Sequence, residues 1–316
     1  MATLRYTRLA FADLQGWADD NHQAALSAYR LTVDALEPHW PRPSEVGARR
    51  FFETAFTPVQ ITDDTEMLFT GYFEPEYDAV LSPSETHKYP AYAPPEDLDP
   101  SAPYLTRQEI DAGRLQGRGL ELAWFDDPLD LYFLQVQGSG RIKILGGEVI
   151  RLGFAAKNGR PYTSLGKVMI ARGYLDPKEV SPETIRRWFA ENPEEGQALL
   201  WENESYVFFQ KRDGVRPDEG PLGAMGQPVT AGRTIAVDPE ACPLGAPVWI
   251  EKSGDAPINR LTVAQDIGSA IKGAQRADIF CGTGEDAGRP AGQIKDRGRM
   301  VVLMPHQMAN ALCEEH

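Results

Sequence analysis

The sequence predicts a mainly β protein with peripheral helices, and two observations carry that expectation. From Arg233 onward the chain breaks into short apolar runs, RTIAVD, PVWIE, RLTVAQD, ADIFC and GRMVVLM, separated by turn residues at fairly regular spacing. This is the pattern of a small β-barrel or sandwich. Glycine (29) and proline (25) punctuate the whole chain, which favours short strands and many turns over a bundle of long helices. The 316 residues are enough for two domains.

The elements follow in order. Residues 12–36 place Leu14, Trp17, Ala18, Ala25, Tyr29, Val33 and Leu36 near one face at helical spacing, with His22 interrupting it. A second helix is expected from Ser44, with Val46, Phe51, Phe52 and Phe56 on its apolar side. MLFTGYF (Met67–Phe73) reads as a strand and Glu74–Ala102 as a loop. Thr106 and Glu109 have the spacing of a capping box. Residues 130–151 read as three consecutive strands, turned by Gly138–Gly140 and Gly146–Gly147. Helices return at about Ser164–Arg172 and at Ser181–Glu191. The latter has Ser181 as N-cap and Pro182 at the first position, with Thr184 where a Glu or Gln would complete a capping box. YVFFQ (Tyr206–Gln210) is a strand, Arg212–Gly226 a polar connector and His306–Cys313 a closing helix.

A net charge of −14 with no basic stripe argues against nucleic acid and against anionic membrane surfaces. Cys242, Cys281 and Cys313 are too few and too odd in number for a disulfide framework, although a single Cys242–Cys281 bridge stays open. The histidines (His22, His39, His87, His306, His316) are scattered and no CxxC or HExxH occurs. No metal and no cofactor are therefore expected. The first 17 residues lack a signal-peptide pattern and no apolar run is long enough to span a bilayer. Read literally, the chain is soluble and cytosolic; a chain whose export signal had been removed would look the same.

Three aspartates lie in or directly after predicted strands, where a rigid backbone suits catalysis. Asp238 ends RTIAVD, Asp266 ends RLTVAQD, and Asp278 sits inside ADIF. Such residues commonly cap turns, and Asp238 before Pro239 fits that role best. Asp278 fits it worst, because burial between Ala277 and Ile279–Phe280 would raise its pKa and keep it protonated as a general acid. AQDIGSA invites comparison with the D-[TS]-G of aspartic proteases, but that chemistry needs two such carboxylates and one copy exists here. TGYFEPEY, QVQGSGR and GRPYTSLG mix aromatic faces, amides and hydroxyls, a combination that suits sugars.

In this order, TGYFEPEY, YLTRQEID, WFDDPLDLYFLQVQGSGRIKI, GRPYTSLG, GPLGAMGQPVTAGRTIAVDP, PLGAPVWI, AQDIGSAIKG, RADIFCGTG and AGQIKDRGRMVVL span residues 67–304. Together they resemble the lytic murein transglycosylase A (MltA) family. The strands from Arg233 onward resemble its 3D domain, named for three aspartates that fall here on Asp238, Asp266 and Asp278.

The resemblance implies a double-psi β-barrel catalytic domain from residues 1–74 and 212–316. It also implies a smaller β-domain inserted at 75–211 and a substrate groove between the two. It implies cleavage of the β-1,4 bond between N-acetylmuramic acid and N-acetylglucosamine in peptidoglycan, leaving a 1,6-anhydromuramoyl end. Asp278 falls on the family's catalytic aspartate, with Asp266 as its helper. Thr70, Gly71, Tyr72, Gln137, Gly138 and Ser139 are expected at the glycan, and Asp238 with them in a supporting role. Ile267-Gly268-Ser269 departs from the family's Thr-Gly-Gly. The expected partners are peptidoglycan glycan strands, with cell-wall synthesis or hydrolase proteins as the open class of protein partner. The family is an outer-membrane lipoprotein facing the periplasm, although neither signal nor lipidated cysteine is visible here. The alternatives are a hydrolytic muramidase using two carboxylates and a non-catalytic glycan-binding or wall-loosening module.

Overall fold

The computed structural model describes residues 3–212, 214, 216, 219–268 and 270–314. The chain forms two compact units, Met1–Phe73 with Val215–His316, and Glu74–Gly214. It is mainly β with helices around the strands. In chain order, the first unit begins with β1 (Arg5–Arg8), α1 (His22–Thr32), α2 (Ala48–Ala55), β2 (Phe56–Thr62) and β3 (Leu68–Glu74). The second unit holds β4 (Glu76–Ala79), β5 (Tyr89–Tyr92), the single turn α3 (Arg107–Glu109), β6 (Glu121–Phe125), α4 (Pro128–Gln137), β7 (Ser139–Ile144) and β8 (Val149–Lys157). It closes with α5 (Leu165–Ala171), α6 (Pro182–Glu191), α7 (Pro193–Trp201) and β9 (Val207–Lys211). The first unit resumes with β10 (Thr234–Val237), β11 (Pro247–Lys252), β12 (Ile258–Ile267), β13 (Arg276–Thr283), α8 (Glu285–Gln293), β14 (Lys295–Asp296), β15 (Gly298–Pro305) and α9 (His306–Glu314).

The first unit is built on a nine-stranded sheet, ordered β1-β2-β15-β11-β12-β10-β13-β3-β14. Strands from both ends of the chain therefore interleave. β10 runs parallel to β12 and antiparallel to β13. Apolar residues of β10, β11, β12 and β15 form one core with Trp17, Tyr29, Phe52 and Phe56. Each large side chain so buried stabilises the fold by about 1.5–3 kcal/mol. Polar ties fix the N-terminal segment to the sheet. Arg233 donates to both oxygens of Asp20 at 2.8 and 3.0 Å, and Asp20 also accepts from the Leu261 amide at 3.0 Å. Gln265, fully buried in β12, donates to Ala28 and Thr32 of α1.

The second unit has a four-stranded sheet, β4-β7-β8-β9, and a β5-β6 pair. Its buried ion pair joins Arg151 of β8 to Glu74 at 3.0 Å.

Several expectations need correction. Residues 130–151 are not three strands: α4 runs to Gln137, and only β7 and the start of β8 follow. Asp127 caps α4 by accepting from the Leu129 amide, Pro128 opens it, and Gly138 at φ 82° ends it. The 12–36 helix is two short 3-10 turns, then α1, with His22 as its first residue and its ring edge-on to Trp17 at 4.5 Å, and a third 3-10 turn at Val33–Ala35. Glu74–Ala102 contains β4 and β5. Thr184 does complete a reciprocal cap, since its hydroxyl accepts from the Ser181 amide at 2.9 Å. The Thr106–Glu109 box forms as read. Cys242, Cys281 and Cys313 are all free thiols.

Candidate active site

The order β12-β10-β13-β3 brings the candidate carboxylates onto neighbouring strands of the first unit. Ala236 of β10 is in register with Asp266 on one side and Asp278 on the other. The two aspartates are thus separated by two strand spacings, about 9.5 Å between their Cα atoms. Both are half-buried.

Among the described residues, Asp278 has one side-chain hydrogen-bond partner. Its Oδ1 accepts from the Thr70 hydroxyl of β3 at 2.6 Å. No described protein group hydrogen-bonds its Oδ2. Burial raises its pKa, the Thr70 bond and the Arg276 charge oppose the rise, and the Asp266 charge reinforces it. That environment holds a proton on a carboxyl group at a pH where a solvated aspartate has lost it.

Asp266 is engaged on both oxygens. Oδ2 accepts from the Tyr72 hydroxyl at 2.8 Å, and Oδ1 accepts from the amides of Ile267 at 2.9 Å and Ala224 at 3.1 Å. Burial pushes its pKa up, and these three donors pull against it. Tyr72, raised well above the usual phenol value by burial and by the Asp266 charge, stays protonated as a donor. Its ring lies 5.1 Å from that of Phe280.

Asp238 takes no part in this pair. It is buried, and it accepts from the backbone amides of Gly273 at 2.9 Å and Glu240 at 3.3 Å, with the Lys272 ammonium at 3.4 Å. Burial pushes its pKa up, but the Gly273 and Glu240 amides and Lys272 outweigh it and hold the carboxyl below the ordinary aspartate value. It clamps the turn between β12 and β13. Ser269 in that turn lies outside the described residues.

Thr70 and Tyr72 therefore each bond one carboxylate. Gly71 between them makes room for α8: a Cβ there would stand 2.8 Å from both the Cα and the carbonyl oxygen of Ala291. Gln137, Gly138 and Ser139 lie at the end of α4 and start of β7 in the second unit, Gln137 exposed and the other two half-buried.

Three contributors were not singled out from sequence. Arg276 donates to the Thr70 hydroxyl oxygen at 2.9 Å. Ala224 reaches Asp266 through its amide, from a turn in which Gly223 packs against the Gln265 carbonyl. Phe280 backs Tyr72. The turn glycines of GPLGAMG were the only sequence signal for Ala224.

Comparison with known proteins gives a consistent picture. Residues 68–210 match the MltA specific insert domain, and residues 233–304 match the 3D domain. The membrane-bound lytic murein transglycosylase A of Vibrio cholerae is 34% identical over 248 residues, 75% of this chain and 65% of the relative. The chain thus matches a little under two thirds of that protein's length. The crystal structure of MltA from Neisseria gonorrhoeae superposes with a TM-score of 0.86 at 31% identity, covering 96% of this chain and 93% of that one. Escherichia coli MltA with bound chitohexaose superposes with a TM-score of 0.76 at 28% identity, covering 92% and 90%.

Proposed function

The chain belongs to the MltA family of lytic murein transglycosylases, and from that premise we propose that it cleaves peptidoglycan glycan strands with Asp278 as the single acid/base. The cut falls between N-acetylmuramic acid and N-acetylglucosamine. The protonated Oδ2 of Asp278 gives its proton to the glycosidic oxygen as the bond to C1 breaks. The resulting carboxylate takes the proton of the muramoyl C6 hydroxyl as that oxygen bonds to C1, which closes the 1,6-anhydro ring and restores the acid. No water is consumed and no second carboxylate attacks.

One observation carries this reading: the two aspartates differ in engagement. Among the described residues, Asp278 keeps one oxygen without a protein partner, whereas both oxygens of Asp266 accept from donors. Three donors take most of the roughly four acceptor sites of the Asp266 carboxylate, leaving it little capacity for the water that a hydrolytic base must activate. Asp266 is assigned to hold Tyr72 and the Ala224 turn in place, and Asp238 to support the β12–β13 turn. Thr70 orients Asp278. Gln137, Gly138 and Ser139 are assigned to glycan contact from the second unit, an exposed amide and hydroxyl beside a glycine. The first unit is read as a double-psi barrel, a reading supported by the parallel β10–β12 pair beside the antiparallel β10–β13 and β11–β12 pairs. The relatives' membrane-bound names point to the cell envelope as the place of action; no helix among the described residues is long and apolar enough to cross a membrane.

A second reading, two-carboxylate hydrolysis, draws on the shared register of Asp266 and Asp278 with Ala236. Mass spectrometry of digested sacculi separates the two. Non-reducing anhydro-muropeptides are expected, and exclusively reducing ends would replace this reading with hydrolysis. Glycan binding with no cleavage at any pH would point instead to a wall-loosening module.

A further inference from the structure

We propose that Arg276 is a positioning residue that, acting through Thr70, fixes which oxygen of Asp278 holds the catalytic proton. The inference rests on the acid/base role given to Asp278 above. A threonine hydroxyl has one proton to give, and its oxygen can also accept; an arginine can only donate. Arg276 Nη2 donates to Thr70 Oγ1 at 2.9 Å. With one Thr70 lone pair taken by Arg276, the arrangement in which Thr70 gives its proton to Asp278 Oδ1 at 2.6 Å is favoured over its reverse. An oxygen that accepts from Thr70 does so best as the carbonyl oxygen of the protonated acid, which places the acid's proton on Oδ2. That is the oxygen left without a protein partner among the described residues and the one available to a glycosidic oxygen.

The guanidinium is itself held. Its Nη1 donates to the carbonyls of Ala277 at 2.7 Å and Leu68 at 3.3 Å, one on each of the two strands that carry Asp278 and Thr70. Arg276 thus ties the strands together at the point where the acid and its orienting hydroxyl meet. The titratable groups around Asp278 are Arg276 on its own strand, Tyr72 from β3, Asp266 beyond β10 and Cys281 farther along β13. Of these, Arg276 alone favours the carboxylate through its charge.

The test is a titration of the Asp278 carboxyl by 13C NMR, assigned with Asp278→Asn, in the wild type, Arg276→Met, Arg276→Lys, Thr70→Val and the Arg276→Met/Thr70→Val pair. Loss of the cation and of the ordered donor favours the protonated form. Asp278 in Arg276→Met is expected to titrate at higher pH, and the basic limb of kcat should move up with it. A misdirected proton should lower kcat by roughly tenfold to hundredfold. Arg276→Lys, which keeps a charged donor, is expected to recover most of the loss. The double variant should add little to either single one. An unchanged Asp278 titration in folded Arg276→Met, or full additivity with Thr70→Val, would overturn the proposal. Should Arg276→Met not fold, Arg276→Gln decides by the same titration. The titration is read without substrate, so it stands apart from the product analysis: a wild type that releases no cleaved glycan refutes the acid/base reading and leaves the Arg276–Asp278 linkage separately decided.

Discussion

Replacing Asp278 with asparagine should stabilise the protein at neutral pH while abolishing turnover. Burial lifts the folded-state pKa of Asp278 above its unfolded value. The ionised side chain therefore costs the fold stability. That cost is absent below the unfolded pKa, grows as pH climbs toward the folded pKa, and is complete above it. Asparagine keeps an oxygen for the Thr70 hydroxyl and removes only the charge. The losses are modest. The charge assistance in the Thr70 bond is worth about 1 kcal/mol, and the attraction to partly exposed Arg276 is worth less than about 1 kcal/mol. The relief of desolvation, of the order of several kcal/mol for a buried ion, exceeds their sum. A net gain of about 1 kcal/mol corresponds to roughly 2–4 °C in Tm for a unit of this size. Thermal melts of wild type and variant at pH 7.5 and pH 3.0 would read it. The variant should melt higher at pH 7.5, and the difference should vanish at pH 3.0. A variant that melts lower at pH 7.5 would refute the reasoning, because it would mean the carboxylate is held for stability and not against it.

Other consequences are open to measurement. Asp20→Ala leaves the Arg233 guanidinium buried without its bidentate partner and should lower stability by about 3–5 kcal/mol in denaturant unfolding. Gly71→Ala forces a methyl against the backbone of Ala291 and should cost about 1–3 kcal/mol, seen as a lowered Tm with or without ligand. Asp266→Ala releases the Ala224 and Ile267 amides; hydrogen exchange at these two should accelerate, and kcat should fall by less than in Asp278→Asn. Equal losses in the two variants would favour a two-carboxylate mechanism.

How far the fold could be read from the sequence depended on how local its signal was. β10, β11, β12, β13 and β15 announced themselves through apolar runs between turn residues. The β3 run around Phe69–Phe73 did so as well. The α4 segment misled because LYFLQVQ alternates apolar and polar residues toward its end, the period of a strand; Asp127–Pro128 was the overlooked helix start. Thr184 showed that a hydroxyl can do the work of the missing carboxylate in a cap. For the site, the strand-borne aspartates were visible, and burial of Asp278 followed from its neighbours. What joins them was not. Thr70 meets Asp278 across 208 positions and Tyr72 meets Asp266 across 194, pairings set by the interleaving of the two ends of the chain. The packing of Gly71 against α8 was also out of reach, since nothing in its sequence context names α8 as the neighbour.

The central claim is that one aspartate, Asp278, serves the scissile bond. A structure of the Asp278→Asn protein bound to an uncleaved muropeptide glycan tests it most directly. The side chain at position 278 should lie within about 3 Å of the glycosidic oxygen through the atom opposite Thr70, with the muramoyl C6 hydroxyl close by and Asp266 still bonded to Tyr72 and Ala224. A glycosidic oxygen seated on Asp266, or a water held by Asp266 beneath C1, would contradict the account.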